Sequence, residues 1–105
     1  MRIVAREWTK DPEQTKSFVL SLPEGTFGEA VAVMIRKWED KLSLSEWIKR
    51  LDAGFKREGA ILAFARSAQG SRSADEKALA REVAAWASNP DTRQKLQRLE
   101  PEIRR

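Results

Sequence analysis

TKSFVLSLPEGTFGEAVAVMIRKWEDKLSLSEWIKRLDAGFKREG, residues 15–59, sets the expectation for everything around it. At its start the large apolar residues Phe18, Leu20 and Leu22 take every second place while Ser17, Val19 and Ser21 point the other way. That is the pattern of a half-buried strand. Pro23-Glu24-Gly25 stops it. Thr26 with Glu29 three residues on has capping-box spacing, and Phe27, Val31, Met34, Trp38 and Leu42 then recur at helical intervals. Ser43 and Glu46 repeat the box. Leu44, Trp47, Ile48, Leu51 and Phe55 give this second helix an apolar face, with Gly59 as its C-terminal stop.

A lone strand cannot satisfy its own hydrogen bonds, so it needs a mate. Two are open: the Ile3-Val4-Ala5 run of residues 1–8, which alternates loosely and precedes a polar turn at residues 10–14, or the same segment of a second chain. Beyond Gly59, residues 60–68 (AILAFARSA) are apolar most of the way round, and their alanines favour helix. Residues 69–73 (QGSRS) read as an exposed loop. Ser73 and Glu76 then box the start of a helix lined by Leu79, Val83, Trp86 and Ala87, and Asn89-Pro90 opens a last one carrying Leu96, Leu99 and Ile103, shortened or kinked at Pro101. The expected fold class is α+β, predominantly helical: one or two short N-terminal strands followed by four to five α-helices. Residues 1–105 form one domain, with residues 15–59 as its core and residues 60–105 as a helical extension.

The 105 residues contain neither cysteine nor histidine. Disulfides and thiolate metal sites are excluded, and so are the commonest general base and the commonest zinc ligand. The closest carboxylate pairs, Glu39-Asp40, Asp75-Glu76 and Glu100/Glu102, include two at helix ends, where capping and dipole preferences account for them. A non-enzymatic chain without cofactor, metal or small-molecule substrate is expected. No apolar run reaches membrane-span length and the N-terminus lacks a signal peptide's apolar core, so a soluble cytoplasmic protein is expected. The net charge is +4, but residues 26–59 hold 7 basic against 6 acidic residues and residues 83–105 hold 5 against 3, so the excess is a drift and not a block. Arg66, Arg72, Arg93, Lys95 and Arg98 form its least compensated part. Trp38, Trp47 and Trp86 sit on apolar helix faces. Trp8, at a strand end among charges, is a candidate partner-binding anchor, as are Arg66 and Arg72.

SFVLSLP followed by a helix and then LSLSEWIKRLDAGFKREG resembles the ribbon-helix-helix DNA-binding domains, most closely the Arc repressor type. The resemblance spans residues 15–59. It implies a homodimer in which the strand pairs with its copy, placing Phe18, Leu20 and Leu22 in the core. Ser17, Val19 and Ser21 would then face duplex DNA, while Ser43 and Ser45 at the start of the second helix would hold a phosphate. It further implies a repressor, antitoxin or plasmid accessory protein. The alternative reading is a protein-binding module or inhibitor, such as a phage- or plasmid-encoded protein that blocks a host nucleic-acid-handling complex, with Trp8 and the loop at residues 69–73 as contacts.

Overall fold

A computed structural model describes residues 2–104 of the chain and the side chains of residues 4–99. Among the described residues there are seven α-helices and no β-strand: α1 (Arg2–Lys10), α2 (Pro12–Leu20), α3 (Glu24–Lys37), α4 (Lys41–Arg50), α5 (Phe55–Gln69), α6 (Ala74–Ala84) and α7 (Pro90–Arg104). The expected α+β class is therefore corrected to all-α.

The correction originates at residues 11–13. The Asp11 carboxylate accepts the Gln14 N–H at 3.1 Å, Pro12 takes the first helical position and Glu13 lies in the first turn. Cap, preset φ and favourable dipole together start a helix where the sequence reads as a turn. That helix runs through the alternating segment and redistributes its side chains with a period of 3.6. Val19, expected on the outer face, has no exposed surface, and Thr15 one turn earlier is equally shielded. Phe18, expected in the core, is 41% exposed, and Leu20 and Leu22 are only partly buried. Pro23 closes the segment. The N-terminal run is helical for the same reason of spacing: Val4 is buried and Trp8, one turn on, packs against the core. Ile3 lies outside the described side chains.

In α3 the expected stripe holds, with Phe27, Val31, Met34 and Trp38 all buried. Leu42 leaves it because α3 ends at Lys37, and it stands 64% exposed. The two capping boxes differ from expectation. Pro23 precedes α3 and the Thr26 hydroxyl donates to its carbonyl, while α4 is capped by Asp40, whose carboxylate accepts the Ser43 N–H at 3.2 Å. The expected second helix also breaks after Arg50. Gly54 has φ +146, a conformation that side chains disfavour, and from it α5 starts afresh. Phe55 to Gly59 thereby join the ambiguous apolar run in one 15-residue helix. Its Ala60, Ile61, Phe64 and Ala68 are buried. Ser73 caps α6 as its spacing indicates, accepting the Glu76 N–H at 3.2 Å, and Asn89 accepts the Asp91 N–H at 2.8 Å beside Pro90. Leu96 is buried; Pro101 and Ile103 lie outside the described side chains.

The helices α3 and α5 form the central pair. Against α3 lie α1 and α2, against α5 lie α6 and α7, and α4 reaches α5 and α6. Trp8, Trp38 and Trp47 stack in a row with ring centroids 4.9 and 5.6 Å apart, tying α1, the end of α3 and α4 together. Trp38 is buried, and its indole N–H donates to Ser43 Oγ at 2.9 Å. No helix among the described residues is long and apolar enough to cross a membrane.

Val19→Ala is expected to cost ~2 kcal/mol of unfolding free energy, the scale of deleting buried methyl groups, whereas Phe18→Ala costs less than half of that. Denaturant titration of the two variants checks the order, which a strand at residues 17–22 would reverse.

Candidate functional site

The residues expected to contact DNA are dispersed by the helical fold. Val19 has no accessible surface, and Ser45 is buried with its hydroxyl donating to the Leu42 carbonyl at 2.6 Å. Ser17 and Ser21 lie on α2 and its C-cap, where their hydroxyls donate to the carbonyls of Glu13 and Phe18 at 3.3 and 2.6 Å. Ser43 accepts from Trp38. Of the five, Ser17 and Ser43 come together, on the walls of a cleft between α2 and α4 floored by Trp38 and Trp47. Lys16 covers that floor, with Nζ 4.5 Å from the Trp38 ring and 2.9 Å from the Glu13 carboxylate. The cleft is thus occupied by the chain's own cation, and its tryptophans serve as packing. Trp8, proposed from sequence as a free anchor, is half-buried in the same stack. Arg72 is exposed in the loop before α6. Arg66 alone of the expected partner-binding residues lines a further concave surface.

That surface is a trough between α3 and α5. Phe27 meets Gly59 and the Phe55 ring near the starts of both helices, and Ala32 and Arg36 of α3 line the trough with Ala63 and Arg66 of α5, so the two helices run in the same direction. Spacings of three and four residues make these the i, i+4 and i, i+3 ridges of each helix. Where large side chains would fill the gap the sequence has glycine and alanine, which leaves a volume of ≈ 330 Å³. At Gly59 the two helices are in tight contact, since a Cβ there would lie 3.1 Å from Phe27 Cε1. Gly28 is the opposite case: a Cβ there would meet nothing within 4 Å and would project into open space.

Parallel direction gives the trough two unlike ends. Arg36 and Arg66 stand in the last turns of α3 and α5, Glu24 and Glu58 in their first turns. Each placement complements its helix dipole. Both arginines are exposed, and neither is ion-paired among the described residues. Sequence reasoning singled out Arg66 by charge but missed Arg36, Gly28 and Gly59, because the register of two helices separated by a third is not encoded in local spacing.

Near Lys41 a third concave region is lined by Glu39, Asp40, Asp75 and Glu76, where α4 and α6 begin. Lys41 Nζ donates to the Ile35 carbonyl at 2.7 Å and lies 3.9 Å from Glu76. It closes the C-terminal end of α3, and no group of carboxylates among the described residues is arranged to hold a metal ion. Burial pushes the Lys41 ammonium below its ordinary value of 10.5, and the nearby Glu76 carboxylate draws it partly back. Between that lowered value and 10.5 the unfolded chain binds a proton that the folded chain does not. This group's unfavourable contribution is therefore fully present below the lowered value and fades as pH rises, so stability gains with pH across the window. Lys41→Met is expected to flatten the slope of unfolding free energy against pH in that alkaline range. Denaturant titrations of both proteins at stepped pH measure it; an unchanged slope contradicts the account.

No family model, curated protein or solved structure matches this chain.

Proposed function

We propose that the chain is a non-enzymatic protein-binding module, an adaptor or inhibitor, whose α3–α5 trough takes an amphipathic helix of a partner protein laid antiparallel to both walls. The observation that carries this reading is the open, small-residue floor between two parallel helices with opposite charge at its two ends. Small residues let a third helix approach, and helix-in-groove docking uses anchors at i, i+3, i+4 and i+7. Direction follows from electrostatics. An antiparallel helix sets its positive N-terminus, where acidic residues are favoured, beside Arg36 and Arg66, and its basic C-terminal turn beside Glu24 and Glu58. A parallel one would oppose like ends. The sequence supports the absence of chemistry, since it holds no histidine or cysteine to act as base or nucleophile.

The test uses three probes against isotopically labelled protein: a 15-residue amphipathic helical peptide with acidic N-terminal and basic C-terminal turns, the same peptide with these charges exchanged, and a random-sequence DNA duplex at two salt concentrations. The first is expected to bind at the trough at least tenfold more tightly than the second, about 1.4 kcal/mol. Gly28→Leu, which projects into the trough, is expected to abolish that binding while the unfolding midpoint is retained. Equal affinity for both peptides contradicts the reading. Duplex binding with a steep salt dependence, weakened by Arg36→Ala and Arg66→Ala, would instead favour a DNA-binding regulator.

A further inference from the structure

Gly28 is exposed on α3, and a Cβ added there would meet nothing within 4 Å. Together with Gly59 and Leu62 it lines both the trough and a further hollow of ≈ 230 Å³ that continues toward the start of α7. The two hollows therefore meet beside these three residues. Apolar surface borders the junction: Leu62 is half-buried, and Phe55, whose ring stands edge to face with Phe27 at 5.7 Å between centroids, is 40% exposed. Farther along, the trough is lined by Ala32 and Ala63, whose methyl groups leave less room than the bare backbone at Gly28. Arg36 stands eight residues on from Gly28 in α3, roughly 12 Å along the axis, and is exposed without an ion pair among the described residues.

We propose that the junction at Gly28 seats one large apolar side chain, a leucine of the docked helix, placed seven residues after an acidic residue that meets Arg36 and Arg66. The inference rests on the antiparallel helix-in-trough reading and supplies its register. In a helix running against α3, seven residues advance about 10.5 Å and return to the same face after two turns, which matches the interval from Arg36 back to Gly28. An anchor only four residues after the acid would fall opposite Ala32 instead. Helices docked in grooves draw much of their affinity from a few such buried anchors. Leucine suits the place, since it is a strong helix former and favours apolar surroundings.

The register is tested with 15-residue helical peptides titrated into the labelled full chain and followed by NMR. All but one carry an acidic residue at the second position and a basic last turn. They differ in the anchor: leucine at the ninth position, alanine at the ninth, or leucine moved to the sixth. The last peptide keeps leucine at the ninth position and has its charges exchanged. The first peptide is expected to bind at least tenfold more tightly than each of the others, with saturable shifts at the Gly28 and Gly59 amides and the Leu62 methyls. Gly28→Val, which projects into the seat, should reverse the preference, so that the alanine peptide binds more tightly than the leucine peptide. Should that variant fail to fold, Leu62→Ala serves instead, weakening the leucine peptide threefold or more and leaving the alanine peptide unchanged. Equal binding of the first three peptides, or a leucine preference that neither variant alters, overturns the anchor. The two readings fail separately. If the leucine preference holds while charge exchange changes nothing, the anchor stands and the antiparallel reading falls. If charge exchange weakens binding tenfold while the leucine can be moved or removed without loss, the anchor falls and the helix reading stands.

Discussion

The close contact of Phe27 with Gly59 is the constraint on which this fold depends. The Phe27 ring packs tightly on the bare backbone of Gly59, where a Cβ would sit 3.1 Å from it. Through this contact α3 and α5 meet near their N-terminal ends and run onward side by side. The other helices are then covering pieces, two on the α3 side and two on the α5 side, with α4 returning the chain from the end of one central helix toward the start of the other. Parallel neighbours need such a return. The break at residues 51–54, ending in Gly54 at φ +146, is what lets α5 start in the required direction.

The same arrangement creates the candidate site. Charges that stabilise each helix individually, acidic at its start and basic at its end, are brought into register when two helices are parallel. The trough inherits a charge gradient that no single helix was selected to display. The proposed docking of an opposed helix rests on this geometry. Glu58, at the start of α5, ties the parallel pair to the α6–α7 corner by accepting the Ser88 and Asn89 N–H groups.

Much of the helical organisation was legible in the chain. Phe27, Val31, Met34 and Trp38 form the buried stripe that their spacing indicates, Leu44 and Ile48 do the same in α4, and Ser73 and Asn89 mark the starts of α6 and α7. Residues 17–22 misled because a six-residue window satisfies a period of 2 almost as well as one of 3.6. What decides between them lies upstream, in the Asp11 cap and Pro12, and in the shielding of Thr15 and Val19 one turn apart. With that segment helical, the ribbon of the ribbon-helix-helix resemblance is not formed, and Val19 lies in the core. The site was less legible. Arg66 stood out by charge, but its companions come from a helix thirty residues earlier, and the Glu58 contacts to Ser88 and Asn89 span a similar separation. Such pairings arise from tertiary register, which local patterns do not carry.

The direction of α5 relative to α3 is open to direct measurement by spin labels at exposed positions 24, 36 and 66. In a parallel pair the labels at 36 and 66 share one end of the trough, while 24 and 66 lie at opposite ends, separated by an additional ~18 Å along the axis at 1.5 Å per residue. Pulsed electron resonance is predicted to find the 36–66 distance much the shorter of the two. A shorter 24–66 distance would contradict the parallel pair, and with it the trough and its charged ends.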